Sequence, residues 1–236
     1  MKQEIIYGST PVVEALESGR RKVFEIFDAV GDDELAKAAG TRGIKPKRVS
    51  RQRVDELVRG GVHQGVVARV EPYPYSGLEE IIASPEPLIL VLDGVTDPRN
   101  LGAVLRAADG AGASGIVVPK DRAAGVTAAA VKASAGASEH VRVARETNLR
   151  RAIYIMKDAG LWVYAAEAGG TPYTGLDLAG PVGLVFGSEG RGVRRLVREA
   201  CDGTVSIPML GNVGSLNISV AAAVLLYEVR RRRGWP

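Results

Sequence analysis

From residue 88 onward, short apolar runs alternate with amphipathic stretches. "LILVL" (88–92) is a continuous apolar run, as a strand covered on both faces requires. In "NLGAVLRAADGAG" (100–112), Leu101, Val104, Leu105 and Ala108 fall at i, i+3, i+4 and i+7, the spacing of one helix face. "GIVVP" (115–119) predicts the next strand, "VTAAAVKASAGA" (126–137) a helix and "HVRVA" (140–144) a strand. "TNLRRAIYIMKDAG" (147–160) predicts a helix with Thr147 as its cap, and "LWVYAA" (161–166) a strand. "VGLVF" (182–186) and "TVSIP" (204–208) predict two more strands, and residues 215–233 the last helix. Strands alternating with helices predict an α/β fold, a parallel sheet with helices on both faces. Such sheets bind ligands at the carboxyl ends of their strands, so the loops after "LVL", "LVF" and "SIP" are where function is expected.

The amino-terminal part reads as a smaller α/β unit. "STPVVEALESG" (9–19) is a helix, "KVFEIFDAV" (22–30) a strand and "DDELAKAAGTRG" (32–43) a helix; "VDELVRG" (54–60) adds a short helix and "QGVVARV" (64–70) a strand. "EPYPYSGLEEIIASPEP" (71–87) holds four prolines, which favour extended backbone. The expected division is a small domain over 1–71, a Pro-rich linker over 72–87 and a larger domain over 88–236.

Composition narrows the classes. The 236 residues are 46% hydrophobic, as in a globular protein, and carry a net charge of +4, which leans towards an anionic partner. One cysteine, Cys201, excludes an internal disulfide, and His63 and His140 alone make a zinc site unexpected. No stretch reaches the roughly 18 apolar residues of a membrane span. A cytoplasmic enzyme or RNA-associated protein is expected, with no metal and no membrane.

"GAGASG" (110–115) matches the dinucleotide-binding spacing, but it ends a helix and precedes a strand, the reverse of what a pyrophosphate needs. There is no Walker lysine loop and no nucleophile elbow. The strand-end loops are richer. "DGVTDPRNLGAVLRAAD" (93–109) gathers Asp93, Asp97, Arg99, Asn100 and Arg106 about a strand-to-helix turn. "GSEGRGVRRL" (187–196) sets Glu189 among glycines, and "GNVGSLNIS" (211–219) sets Ser215 and Asn217 at the mouth of an apolar helix. Each has an ordinary reading as a cap or a solvated charge; Ser215 alone would suffice as a cap.

Together, "DPRNLGAVLRAADGAGASGIVV", "LVFGSEGRGVRRLVREACD" and "SIPMLGNVGSLNISVAAAVLLYE" resemble, in order and spacing, the three motifs of the SpoU (TrmH-like) RNA ribose 2′-O-methyltransferases. "YGSTPVVEALESG" and "VHQGVVARVEPY" resemble the small substrate-binding domain of the subgroup that methylates a guanosine in 23S ribosomal RNA. The resemblance implies S-adenosylmethionine (AdoMet) as methyl donor, a carboxy-terminal deep trefoil knot and a homodimer formed through the knotted region. It implies cofactor contacts at Gly187, Ile207, Met209 and Leu216, and a catalytic set of Arg106, Asn100, Glu189, Ser215 and Asn217. An arginine holds its proton far above neutral pH and is a poor base, so the favoured role of Arg106 is to stabilise charge on the 2′-oxygen; a transiently neutral guanidine acting as base is the alternative left open.

"RGIKPKRVSRQR" (42–53) has six basic residues and no acid, and Arg42, Lys45, Lys47 and Arg48 are expected to meet phosphates. Arg191, beside the second motif, is expected to contact RNA as well. Two other readings stay open: the same chemistry on a tRNA or another rRNA loop, and a noncatalytic RNA-binding protein on a methyltransferase scaffold.

Overall fold

The computed structural model describes residues 2–58, 60–188 and 190–235. The amino-terminal unit contains β1 (Glu4–Tyr7), α1 (Ser9–Ser18), β2 (Val23–Asp28), α2 (Asp33–Thr41), β3 (Lys47–Arg48), α3 (Arg51–Val58) and β4 (Val66–Val70). Its sheet has the order β1-β4-β2-β3, with β4 antiparallel to both β1 and β2. β1 and β3 escaped the sequence pattern because they are short: only Ile6 of β1 is buried, and neither residue of β3 is. α1 buries Val12, Val13, Ala15 and Leu16, and α2 is capped by Asp32, whose Oδ1 accepts from Leu35 N at 3.0 Å.

The segment read as a linker is not a free tether. It contains α4 (Leu78–Ile82), whose Leu78 and Ile81 are buried in the core of the second unit. Ser76 N donates to Val143 O at 2.9 Å, and Tyr73 is buried. Prolines flank this helix instead of interrupting it, so a stretch of extended composition hides a short buried turn.

The second unit contains β5 (Leu88–Asp93), α5 (Pro98–Gly110), β6 (Gly115–Pro119), α6 (Ala128–Ala133), β7 (Arg142–Glu146), α7 (Leu149–Asp158), β8 (Trp162–Pro172), β9 (Val182–Gly187), α8 (Arg195–Arg198), β10 (Gly203–Ser206) and α9 (Ile218–Arg233). All its strands are parallel, in the order β10-β8-β9-β5-β6-β7. β5 lies inside the sheet, Leu90 standing between Leu184 and Ile116. Its side chains alternate between two cores: Leu88, Leu90 and Leu92 pack with Leu101 and Leu105 of α5 and Leu225 and Leu226 of α9. Ile89 and Val91 pack with α4, Ile153 of α7 and Val197 of α8. That double covering is why the run is apolar throughout.

Helix starts follow local chemistry. Asp97 Oδ1 accepts from Arg99 N at 2.8 Å, with Pro98 next in line, and opens α5. α7 is capped by Asn148, not Thr147: Asn148 Oδ1 accepts from Arg151 N at 3.2 Å. "GAGASG" closes α5 and leads into β6, with Gly112 at φ 63°. No helix among the described residues is long and apolar enough to cross a membrane.

Ile81→Ala tests the status of the connecting segment. Thermal and urea unfolding should show a loss of about 2–5 kcal/mol, as for a buried aliphatic residue. A solvated linker position would lose no more than about 0.5 kcal/mol.

Candidate functional site

The carboxyl ends of β8, β9 and β10 and the start of α9 enclose a cavity of about 560 Å³. Small-molecule sites occupy about 300–1,000 Å³. Its floor is apolar and buried: Phe186, Val205, Ile218 and Leu225. Ile207, Met209 and Leu216 stand higher, Met209 and Leu216 each 37% exposed. Polar groups enter from Ser188, Arg191, Ser215 and the ion pair between Arg198 and Glu167, 3.5 Å apart. Gly187, Ile207, Met209 and Leu216, the four expected cofactor contacts, thus line one space.

The glycine at the end of β9 has a cause within the chain itself. A Cβ on Gly187 would sit 1.9 Å from the carbonyl carbon of Gly192 and 2.1 Å from Val193 N. The chain's own backbone crosses this residue, so it is glycine before any ligand is considered. The crossing closes because Gly192 N donates to Ser188 O at 2.9 Å, with Gly190 and Gly192 at φ 82° and 65°.

Asp93, at the end of β5, holds the same loop from below. Its buried carboxylate accepts from Arg194 N at 2.8 Å and Arg194 Nε at 2.7 Å. The sequence placed Asp93 among the loop polars without a role, because its partner lies 101 positions away.

The opening of α9 revises another expectation. The helix starts at Ile218, so its cap is Asn217 and not Ser215. Asn217 Oδ1 accepts from Ser219 N at 2.9 Å, while its Nδ2 donates to Asn100 Oδ1 at 3.1 Å. One amide caps a helix and joins two motifs; Ser215 is left to line the cavity. Glu189 lies outside the described residues.

Arg106 does not line this cavity. It is exposed on the stripe of α5 with Ala103, Ala107 and Gly110, facing Ser219, Val220, Ala223 and Tyr227 of α9 across an open groove. The first turns of α9 form the partition, since Ile218, Ala221 and Leu225 face the cavity while Ser219, Val220 and Ala223 face the groove. Within one chain, therefore, the guanidinium and the cavity stand on opposite sides of a helix.

The basic stretch of the amino-terminal unit is largely committed. Arg42 Nε and Nη2 donate to Leu16 O and Glu17 O at 2.7 and 2.9 Å, satisfying the carboxyl end of α1. Lys47 pairs with Glu25 at 2.5 Å and Arg48 with Asp28 at 3.3 Å; the Lys47 hydrogen bond holds the Glu25 carboxyl below its usual range. Lys45 is exposed. Arg191 stands at the cavity. His63 is buried, with Nε2 2.7 Å from Asp55 Oδ1 and Nδ1 accepting from Gly65 N at 3.0 Å. Burial pushes the Cys201 thiol up to about 12, which leaves it a poor nucleophile. No group of three or more metal-ligating side chains occurs among the described residues.

The model of the SpoU rRNA methylase family matches residues 87–227, and that of the RNA 2′-O ribose methyltransferase substrate-binding domain matches residues 5–76. The chain belongs to the SpoU rRNA methylase family. It is 45% identical over 242 residues to the Yersinia pestis 23S rRNA (guanosine-2′-O-)-methyltransferase RlmB, covering 98% of each chain. It is 43% identical over 241 residues to the Escherichia coli K12 protein of the same name, covering 98% of this chain and 99% of that one. Among solved structures, the SpoU methyltransferase AviRb from Streptomyces viridochromogenes, in complex with AdoMet, superposes with a TM-score of 0.84 at 26% identity. That match covers 98% of this chain and 90% of AviRb. An AdoMet-bound rRNA methyltransferase from Sinorhizobium meliloti gives 0.82 at 29% identity, covering 97% and 87%.

Asn217→Ala should lower stability by about 1 kcal/mol through the lost cap. Asn217→Ser should recover most of that loss in urea titrations, since a hydroxyl also caps, while leaving Asn100 without the amide donor.

Proposed function

We propose that this protein transfers a methyl group from AdoMet to the ribose 2′-hydroxyl of a guanosine in 23S ribosomal RNA. The observation that carries the reading is the meeting of Gly187, Ile207, Met209 and Leu216 on one cavity at the carboxyl ends of parallel strands. Residues 88–236 are read as the methyltransferase domain and 1–71 as the substrate-binding domain, joined through 72–87.

The cavity suits AdoMet in chemistry. Its apolar floor suits a flat heterocycle, the backbone of Gly187, Ser188, Gly190 and Gly192 and of the 207–216 segment offers hydrogen-bonding groups, and Glu167, Arg191 and Arg198 suit a zwitterionic tail. When bound, AdoMet supplies an electrophilic methyl on a sulfonium. The chain's own residues position and polarise the acceptor. Arg106 stays charged, hydrogen-bonds the 2′-oxygen and stabilises negative charge there as the hydroxyl proton passes to solvent water. The Asn217–Asn100 amide pair fixes the rim of the site, with Glu189 and Ser215 orienting ribose and loops. Arg42, Lys45, Lys47, Arg48 and Arg191 are read as phosphate contacts whose contribution falls with salt, the exposed Lys47 and Arg48 exchanging weak surface ion pairs for RNA.

The separation of Arg106 from the cavity favours a homodimer that completes each site across its interface. Beside the Arg106 groove, Val220, Tyr227 and Trp235 expose apolar surface at 48%, 44% and 57%. A second copy seated there buries that surface and brings the partner's Arg106 to this chain's cavity. The deep trefoil knot belongs to the same reading. β10 is an edge strand, yet the chain after it returns to lay α9 over α5 and β9.

Arg106→Ala should cut methylation of a 23S rRNA fragment at least 100-fold while calorimetry shows AdoMet affinity unchanged. Leu216→Arg should abolish AdoMet binding. Mixing the two inactive variants should restore up to a quarter of wild-type turnover, because one mixed dimer then owns an intact site. No recovery, with mixed dimers demonstrated, would reject the shared site. Full turnover by Arg106→Ala alone would reject its role.

A further inference from the structure

The joint between the two units is built like a core. Arg21, between α1 and β2, has a side chain 1% exposed, and Glu139, just before β7, has one that is 0% exposed. They form a two-pronged pair: Nε donates to Oε2 at 3.1 Å and Nη2 to Oε1. Arg20 beside it donates through Nη1 to Val141 O at 2.8 Å, and through Nη2 to Pro74 O and Ser76 Oγ at 3.3 Å each. Tyr73 lies beneath both guanidiniums, 5.2 Å from Arg20 Cζ and 5.8 Å from Arg21 Cζ, and its hydroxyl donates to Val141 O at 3.0 Å.

Two further observations are independent of that pair. Gly136 has φ 90°, and a Cβ there would fall 2.6 Å from Glu14 Cβ, so bare backbone of one unit is seated directly on α1 of the other. The main apolar core is also continuous across the joint, running from Ile6, Val12 and Leu16 through Tyr73 to Val126, Val131 and Val141. The exposed contacts at the rim, His140 with Glu14 and Lys132 with Gln64, contribute little by comparison. The buried pair decides, because breaking it strands a charge: Glu139, fully buried, loses its two-pronged partner, or Arg21 keeps only Glu4 Oε2, 3.9 Å from its Nη1.

We infer that Arg21 and Glu139, with Arg20 and Tyr73, are positioning residues that lock the amino-terminal unit at one attitude to the cavity, so that an RNA held by that unit is presented without a search over hinge angles. Its consequence for RNA rests on the reading of the amino-terminal unit as the substrate-binding domain; the lock itself does not. A preset attitude removes ordering cost from RNA binding. It leaves AdoMet capture to the other unit alone.

The test uses the full chain with Arg21→Met, Glu139→Gln and, as a milder change, Tyr73→Phe. Small-angle scattering should show a larger radius of gyration for the first two. KM for a 23S rRNA fragment should rise at least tenfold with kcat within twofold, and AdoMet affinity by calorimetry should match wild type. Arg21→Lys, which keeps the charge but loses the fork, should recover part of the KM. Unchanged scattering and KM in folded Arg21→Met would overturn the inference. Should that variant fail to fold, unchanged values in both Glu139→Gln and Tyr73→Phe would do the same. Expansion in scattering, with wild-type protein inert towards rRNA, would keep the lock and remove the RNA reading.

Discussion

A carboxylate buried at the end of a fully covered strand must be neutralised where it stands, and Asp93 is met by two donors of a single residue, Arg194. β5 and β9 are neighbours, with Asp93 directly beside Gly187, so the pairing ties the loop that opens α5 to the loop that leaves β9. The tight crossing of Gly192 and Val193 over Gly187 follows from the same confinement. On the far side, the Asn217–Asn100 amide contact ties the opening of α9 to α5. The segment that opens α5, about a hundred positions from the other two, thereby anchors both from outside the cavity, which they line together with β8 and β10.

That anchoring explains a division of labour within α9. A helix inserted between the cavity and α5 has two working faces besides its buried one. Ile218, Ala221 and Leu225 shape the cavity, while Ser219, Val220 and Ala223 shape the groove that holds Arg106. The helix carries more apolar surface than its own core needs, and the surplus, at Val220 and Tyr227, lies beside that groove. The sheet unit and the amino-terminal unit are similarly not two bodies on a string, since their apolar cores run into one another through Tyr73 and Val141.

Much of this was legible in one dimension. The run at 88–92, the helical stripe at Leu101, Val104, Leu105 and Ala108, and the strands at 115–119 and 182–186 all reappear, because both-face burial and one-face burial leave different periods in a sequence. What local pattern misjudged was the fine assignment of caps and connections. Asn148 and Asn217 took the cap positions expected of Thr147 and Ser215, each a matter of one or two residues in where helical dihedrals begin. The helix at Leu78–Ile82 was hidden by flanking prolines, and β8 ran on to Pro172 past its apolar part, bringing Glu167 to the cavity wall.

The sequence by itself determined the alternation of strands and helices from residue 88 onward and the three polar segments, since these depend on residue spacing and on chemistry carried within a few positions. Only the tertiary structure decided that Asp93 belongs to Arg194, that Arg21 belongs to Glu139 and that Arg106 faces away from the cavity beside it. Those facts depend on which distant segments share a neighbourhood. A buried charge finds its partner through packing of the whole chain, and no local period records where that partner will be.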